Sequence, residues 1–276
     1  MVRTLEIAIK AAYRCYAGIL HLRHGKDDTQ PDKRTNSGYA KKFEVPELFP
    51  GRMAGAAAWN DLTGTARVDK PWMNGLPRMI FISDMADSLS SNIPFEYLKS
   101  EIIDVVGTEK AQQHVWLWLT KRPARMAEFS EWLAKLGLHW PDNLMAMTSV
   151  TSQKTVGRIA QLGKVRCKHR GLSVEPLWSS VTLPLDGMAW CIVGGESGSY
   201  AQPFHLDWAR DVVRQCRRAG VAPFVKQLGA APMDGGTSLF LADSHGGDWS
   251  EWPEDLRVRE FPPVHLLKSG TLNPEW

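Results

Sequence analysis

The chain has 276 residues, a formal charge of +3 and 43% hydrophobic residues, enough for one large core or two small ones and too weakly charged to argue by itself for a polyanionic partner. No apolar run is long enough to span a bilayer, and Glu6, Lys10 and Arg14 interrupt any signal-peptide core, so the sequence reads as cytoplasmic and without a membrane partner. The four cysteines, Cys15, Cys167, Cys191 and Cys216, are widely scattered, which excludes a disulfide framework and gives no pair the spacing of metal ligands.

Residues 1–77 read as an irregular N-terminal segment. Leu5, Ile9, Ala12 and Tyr16 recur at helical spacing and predict a helix over 1–20. Residues 23–40 are polar and rich in turn formers, and the prolines and glycines scattered through 41–77 predict short helices and loops. From Arg78 the pattern becomes regular. Apolar runs predict strands at 78–83, 115–120, 144–149, 170–175, 189–195 and 222–227. Between them lie helical patterns: one opened by Asn92 and Pro94, then 124–136, 152–162 and 207–219. Gly107, Gly137, Gly163 and Gly220 stand where these helices stop, as expected of a left-handed residue just past a helix end.

Strands alternating with helices imply a parallel sheet with right-handed crossovers, and strands that are apolar throughout are buried on both faces. The first expectation is therefore an α/β fold with a parallel, TIM-like (β/α) barrel, whole or partial, over 78–228; an open doubly wound sheet is the second. Residues 229–276 break the pattern and read as a C-terminal extension with one or two short strands, the whole forming a single domain. His245, Asp248 and Glu251 in that extension are conceivable ligands, though a solvated loop explains them better. The basic run Lys164, Arg166, Lys168, His169 and Arg170 reads the same way, with nucleic-acid contact as the alternative.

Ligands of parallel α/β folds meet the carboxyl ends of the strands. Here those ends carry Asp87, Thr120, Lys121, Arg122, Glu175, Gly194, Gly195, Glu196, Ser197 and Lys226, and together they form the candidate cofactor-binding set. In the stretch AWCIVGGESGSY (189–200), Gly194 and Gly195 allow a sharp bend and close approach to a ligand, and consecutive N–H groups there can hold a carboxylate or phosphate. The alternative is a turn whose glycines serve geometry alone. Lys121 and Arg122 can clamp an anion or act as surface charges, and Lys226 at a barrel mouth needs a partner. Twelve tryptophans suit core and rim packing, with exposed ones able to stack on a base. No residue is assigned a catalytic role.

The stretches PWMNGLPRMIFISDMADSLS, VWLWLTKRPARM, LSVEPLW, CIVGGESG, PFVKQLG and GGDWSEWPEDLRVREFP, spread from about Phe43 to Pro263, resemble a phage-associated protein family of the radical SAM type, itself distantly similar to spore photoproduct lyase. The resemblance implies a [4Fe–4S] cluster held by three cysteines, with S-adenosylmethionine on its free iron, and makes a nucleic acid base a substrate guess. Cys15-Tyr16-Ala17 matches the end of the family's three-cysteine motif, so Cys15 is the implied metal ligand; the places of the other two cysteines hold Ala12 and, approximately, Leu5. Two accounts stay open: a chain with an altered start whose family activity is radical chemistry, and a cluster-less member that binds nucleotides, nucleic acid or a partner protein.

Overall fold

A computed structural model describes residues 47–83 and 86–262, together with Ala17, Gly18, Leu20, His21 and Ala40. Cys15 and nearly all of the helix predicted over 1–20 lie outside these residues. The segment leading to the sheet holds a short helix, α1 (Arg52–Ala57), and a 3-10 turn at Pro71–Met73. Then follow β1 (Arg78–Ile82), α2 (Phe95–Leu98), a π-helical turn (Lys99–Ile103), α3 (Asp104–Val106) and α4 (Glu109–Gln112). Next come β2 (His114–Thr120), α5 (Pro123–Lys135), β3 (Leu144–Ser149), α6 (Gly157–Leu162), β4 (Arg170–Val174) and β5 (Trp190–Gly194). A two-residue β6 (Phe204–His205), α7 (Leu206–Ala219), β7 (Ala222–Gln227), β8 (Pro232–Asp234) and β9 (Thr237–Ser238) complete the order.

The main sheet has six parallel strands in the order β1-β2-β3-β4-β5-β7. Each new strand is added on the same side of the last. A doubly wound sheet must reverse that direction at a switch point, so the second expectation is not met. One-way winding with right-handed crossovers puts the helices on one face and lets the sheet curl into a half-barrel.

Side chains alternate between the two faces, as the strand repeat requires. On the helix side Ile80, Trp116, Trp118, Leu172, Val193 and Val225 join the large core. Trp118 stacks on Trp140 with ring centroids 5.4 Å apart. On the concave side Val115, Leu117, Met145, Met147, Trp190 and Ile192 form a second cluster, with Phe261 of the C-terminal extension packed against it. Gly171 supplies the gap that the methionines fill: a Cβ there would lie 2.9 Å from the Met145 sulfur.

Gly137 (φ 71°) and Gly220 (φ 68°) are left-handed, as expected of helix terminators. Gly107 (φ −71°) and Gly163 (φ −56°) are not. There the chain winds on in the same hand, with Thr108 N–H bonded to Val105 C=O and Val165 N–H to Leu162 C=O, so no reversal is needed.

The extension after 228 forms two short strands, as anticipated, with β8 parallel to β6 and antiparallel to β9. It then runs antiparallel along the edge of β7. Val225 N–H donates to Val258 C=O at 2.8 Å and Glu260 N–H to Pro223 C=O at 2.9 Å, which covers backbone groups a bare edge would expose. Among the described residues no helix is long and apolar enough to cross a membrane.

Candidate strand-tip site

Asp87 follows β1 and is the hub of the first rim cluster. Its Oδ1 and Oδ2 each accept the Thr120 hydroxyl at 2.9 Å, and Oδ2 also accepts Lys121 N–H at 3.0 Å. Arg122 Nη1 stands 3.1 Å from Oδ2, and Leu89 N–H donates to Oδ1 at 3.1 Å. Thr120 in turn accepts Arg122 N–H at 2.8 Å. Alternation along β2 puts Thr120 on the same face as Trp116 and Trp118, so this cluster stands over the helix side. The carboxylate is filled by its own chain.

The second cluster stands over the concave side. Lys226 Nζ donates to both oxygens of Glu175, at 2.9 and 3.1 Å. The carboxylate is mostly covered, with 15% of its side chain exposed, while 52% of the Lys226 side chain meets solvent. Gly194 lies between their strands, and a Cβ on it would stand 3.4 Å from the Glu175 carboxyl carbon. The nearest atom to such a Cβ is Gln227 O, at 3.2 Å, so the glycine serves the close approach of β5 and β7 and lets Glu175 lie against it. Ser173, two residues before Glu175, and Ser149 end the neighbouring inward rows and are buried.

Gly195, Glu196 and Ser197 lie beside this pair. Gly195 N–H is bonded to Gln227 C=O at 3.0 Å. A Cβ on Gly195 would come 2.3 Å from Leu228 O, so the glycine serves a close crossing of two backbones. Gln227 Nε2 reaches Gly195 O and the Ser197 hydroxyl, at 3.1 and 2.6 Å. Glu196 Oε2 accepts the Trp178 indole N–H at 3.2 Å and Gln202 N–H at 3.1 Å.

The structure thus brings the predicted residues to one rim in two groups on opposite faces. Thr120 and Glu175 follow strands separated by β3, a lateral offset of roughly 10 Å at ordinary strand spacing. Sequence reasoning missed Arg125 and Arg158, which line a cleft of about 460 Å³ with Lys121, Arg122, Glu128 and Gln161. Each lies within the first turn of a helix that follows a strand tip, and that position was the signal available.

The described thiols lie away from this rim chemistry. Cys191, in β5, and Cys216, in α7, are buried on the helix side. Their mutual hydrogen bond, then burial, raises the Cys191 pKa. Burial pushes the Cys167 thiol up to about 11, and its Sγ lies 3.4 Å from His169 O. Among the described residues no group of three or more His, Cys, Asp or Glu is arranged to hold a metal ion. In the extension, Asp248 accepts Ser250 N–H, and Glu251 accepts the N–H groups of Ala242 and Asp243. The basic run at 164–170 precedes β4, at the opposite end of the sheet; Arg166 pairs with Glu131 and Lys168 with Asp142.

Residues 8–253 match the family described as a protein of unknown function, DUF5131. No curated protein and no solved structure matches the chain.

Proposed function

The chain belongs to the DUF5131 family, and from that premise we propose a radical-SAM-like protein that binds S-adenosylmethionine at the strand tips of a TIM-type barrel. The observation that carries this reading is the Glu175–Lys226 pair set over Gly194. An amino-acid zwitterion complements such a pair group for group. Its ammonium can donate to Glu175 while its carboxylate meets the Lys226 ammonium, each contact charge-assisted. Gly194, packed under Gln227 and Glu175, lets the pair sit close to the β5 backbone. Ser149 and Ser173 add hydroxyls beneath the mouth.

The resemblance adds a [4Fe–4S] cluster, which when bound supplies the electron that cleaves S-adenosylmethionine to a carbon radical. The described thiols do not fit that cluster. Cys167, Cys191 and Cys216 are held within the fold with raised or core-bound thiols, whereas a cluster needs thiolates facing one cavity. Cys15 alone corresponds to the motif and lies outside the described residues. The described residues support the ligand end of the proposal and not its cluster end.

The same thiols, with the basic cleft between α5 and α6, favour a second reading: a cluster-less protein that binds nucleotides or nucleic acid.

Calorimetric titration with S-adenosylmethionine tests the first reading. Wild type should bind, and Glu175→Gln and Lys226→Met should each weaken binding about ten-fold or more, the scale of one charged hydrogen bond. Wild type that takes up no S-adenosylmethionine overturns the proposal. Anaerobic reconstitution with iron and sulfide then separates the readings: iron uptake with S-adenosylmethionine cleavage supports the enzyme, and nucleotide binding without iron uptake supports the binder.

A further inference from the structure

We propose that the basic cleft between α5 and α6, continued along the rim by Trp178, is a track for a single strand of nucleic acid, with phosphates in the cleft and an unpaired base on the indole. The proposal deepens the nucleic-acid side of the function argued above and rests on it.

The cleft is a shallow, open depression of about 460 Å³ lined by Lys121, Arg122, Arg125 and Arg158, with Glu128 its one lining acid. Its arginines are fixed by the fold and not merely exposed. Arg122 is fixed through Nη1 to Asp87. Arg125 donates through Nη2 to Ile93 C=O at 2.8 Å and lies over the Phe95 ring with its Nε buried, so it lines the cleft mainly with its stem. Arg158 donates through Nη1 to Ser149 C=O at 3.0 Å. Arg122 and Arg158 are each held through one Nη and keep further donors for a ligand, so little ordering remains to be done on binding. The Lys121 ammonium makes no ion pair among the described residues. The first turn of α5 opens here too, with Pro123 at its start and no side-chain cap, and adds the positive end of a 13-residue helix to the cations. With Arg122 already paired to Asp87, Lys121, Arg158 and the helix end supply the free positive charge, set apart along the cleft so that successive phosphates can meet it.

Trp178 stands where the rim continues from β3 to β4. Its backbone N–H donates to Thr151 C=O at 2.9 Å, and its indole N–H to Glu196 at 3.2 Å. Thr151 leads directly into the turn that opens α6 and carries Arg158. The ring is thus fixed at both ends, yet 46% exposed. A large aromatic held rigid and half bare, anchored two residues along the chain from the Ser149 carbonyl that holds Arg158, is a stacking platform. Bases inside a duplex are already paired and stacked, so the platform selects a single strand.

Fluorescence anisotropy with a labelled oligonucleotide of about 15 nucleotides tests this, using DNA and RNA of one sequence and the same DNA as a duplex. The single strand should bind, and either sugar type supports the track, their ratio naming the preferred strand. The duplex should bind about ten-fold more weakly, since it offers no free base face. Lys121→Ala and Arg158→Gln should each weaken binding and flatten its salt dependence by about 0.7 in log–log slope. Trp178→Ala should weaken binding about ten-fold at unchanged salt slope, with Trp178→Phe restoring most of it. Melting curves confirm that each variant is folded; Lys121→Ala, on an exposed side chain, keeps the test open if another is not. No binding by wild type, equal binding of duplex, or wild-type affinity in folded Lys121→Ala and Trp178→Ala overturns the track. Wild type that binds S-adenosylmethionine but no oligonucleotide overturns the track alone. Wild type that binds the oligonucleotide but no S-adenosylmethionine overturns the ligand proposal alone.

Discussion

Arg259 places its guanidinium carbon 3.8 Å from the ring centroid of Trp72, so the end of the described chain is clamped to the segment that precedes the sheet. Trp249 and Trp252 close round the same group at 4.9 and 5.1 Å. The guanidinium also donates to the carbonyls of Val225, Lys226 and Gly247. Burial lowers its pKa to about 10, which still leaves it charged at neutral pH. Removing the charge from a box of ring faces and carbonyls loses the cation–π contacts and strands the acceptors. Arg259→Met is expected to destabilise the protein by about 2–3 kcal/mol. Arg259→Lys should cost less, since an ammonium can sit on the rings but cannot span the three carbonyls. Urea unfolding followed by tryptophan fluorescence measures both, and a methionine variant as stable as wild type would remove the clamp from the account.

Three glycines mark a place where successive chain crossings touch backbone to backbone. A Cβ on Gly195 would lie 2.3 Å from Leu228 O, one on Gly229 2.5 Å from Glu196 O, and one on Gly246 2.6 Å from Gly229 O. Gly229 and Gly246 also have positive φ, 77° and 61°. Because the obstacles are backbone atoms, no rotamer change relieves them. Gly195→Ala and Gly229→Ala should each cost about 3 kcal/mol or more, the range of core overpacking and backbone strain. Gly198→Ala serves as the control: its φ is 100° but nothing lies within 4 Å of the added carbon, so only the conformational cost of about 1 kcal/mol applies. Thermal melting of the three variants should rank Gly198→Ala as the mildest.

The strands were legible because most are short, mainly apolar runs bounded by polar or glycine stops; 144–149 and 222–227 appear in the structure with the predicted limits. Winding direction was not legible, since strand–helix alternation is the same in a barrel and in a doubly wound sheet. Strand tips could be read as polar, but the face each tip residue takes depends on where its strand enters and leaves the sheet. That is why Thr120 and Glu175, alike in the sequence as strand-end polar residues, stand on opposite faces. The partners of Asp87 were hidden by distance along the chain, Thr120 being 33 residues away. Gly195 owes its requirement to Leu228, supplied by a later crossing. Arg125 and Arg158 looked like ordinary helix residues because only the pairing of α5 with α6 turns their first turns toward a common cleft.

Asp243 makes the stability of the fold depend on pH in the acid range. Backbone N–H bonds from His245, then Gly247, hold its carboxylate pKa below the ordinary aspartate range. The folded state therefore binds fewer protons than the unfolded chain over the interval between the lowered value and about 3.9. The stabilisation is fully present above that unfolded value and is lost as pH falls through the folded one. Asp243→Asn should unfold at lower urea than wild type at pH 7, and the gap should narrow as pH drops below about 4. Urea midpoints at a series of pH values check this; a gap unchanged at acid pH would mean that the residue acts through its shape and not its charge.

The described thiols should be slow to react in the folded protein. A thiol pushed up to about 11, as at Cys167, is on the order of one part in a thousand thiolate at pH 8, and the thiolate is the reactive form. Cys191 and Cys216 are fully buried side by side between β5 and α7. Ellman's reagent should therefore label all four cysteines in guanidinium but at most Cys15 quickly in buffer, and Cys15→Ser should abolish any fast phase. Fast labelling in folded Cys15→Ser would show that core thiols reach solvent, and would undo the argument that they cannot serve as cluster ligands. The same variant sharpens the choice between the two functional readings. Iron retained stoichiometrically by Cys15→Ser after anaerobic reconstitution would require a site built without the one cysteine that matches the family motif, whereas iron lost with that single sulfur would tie the metal to the N-terminal segment.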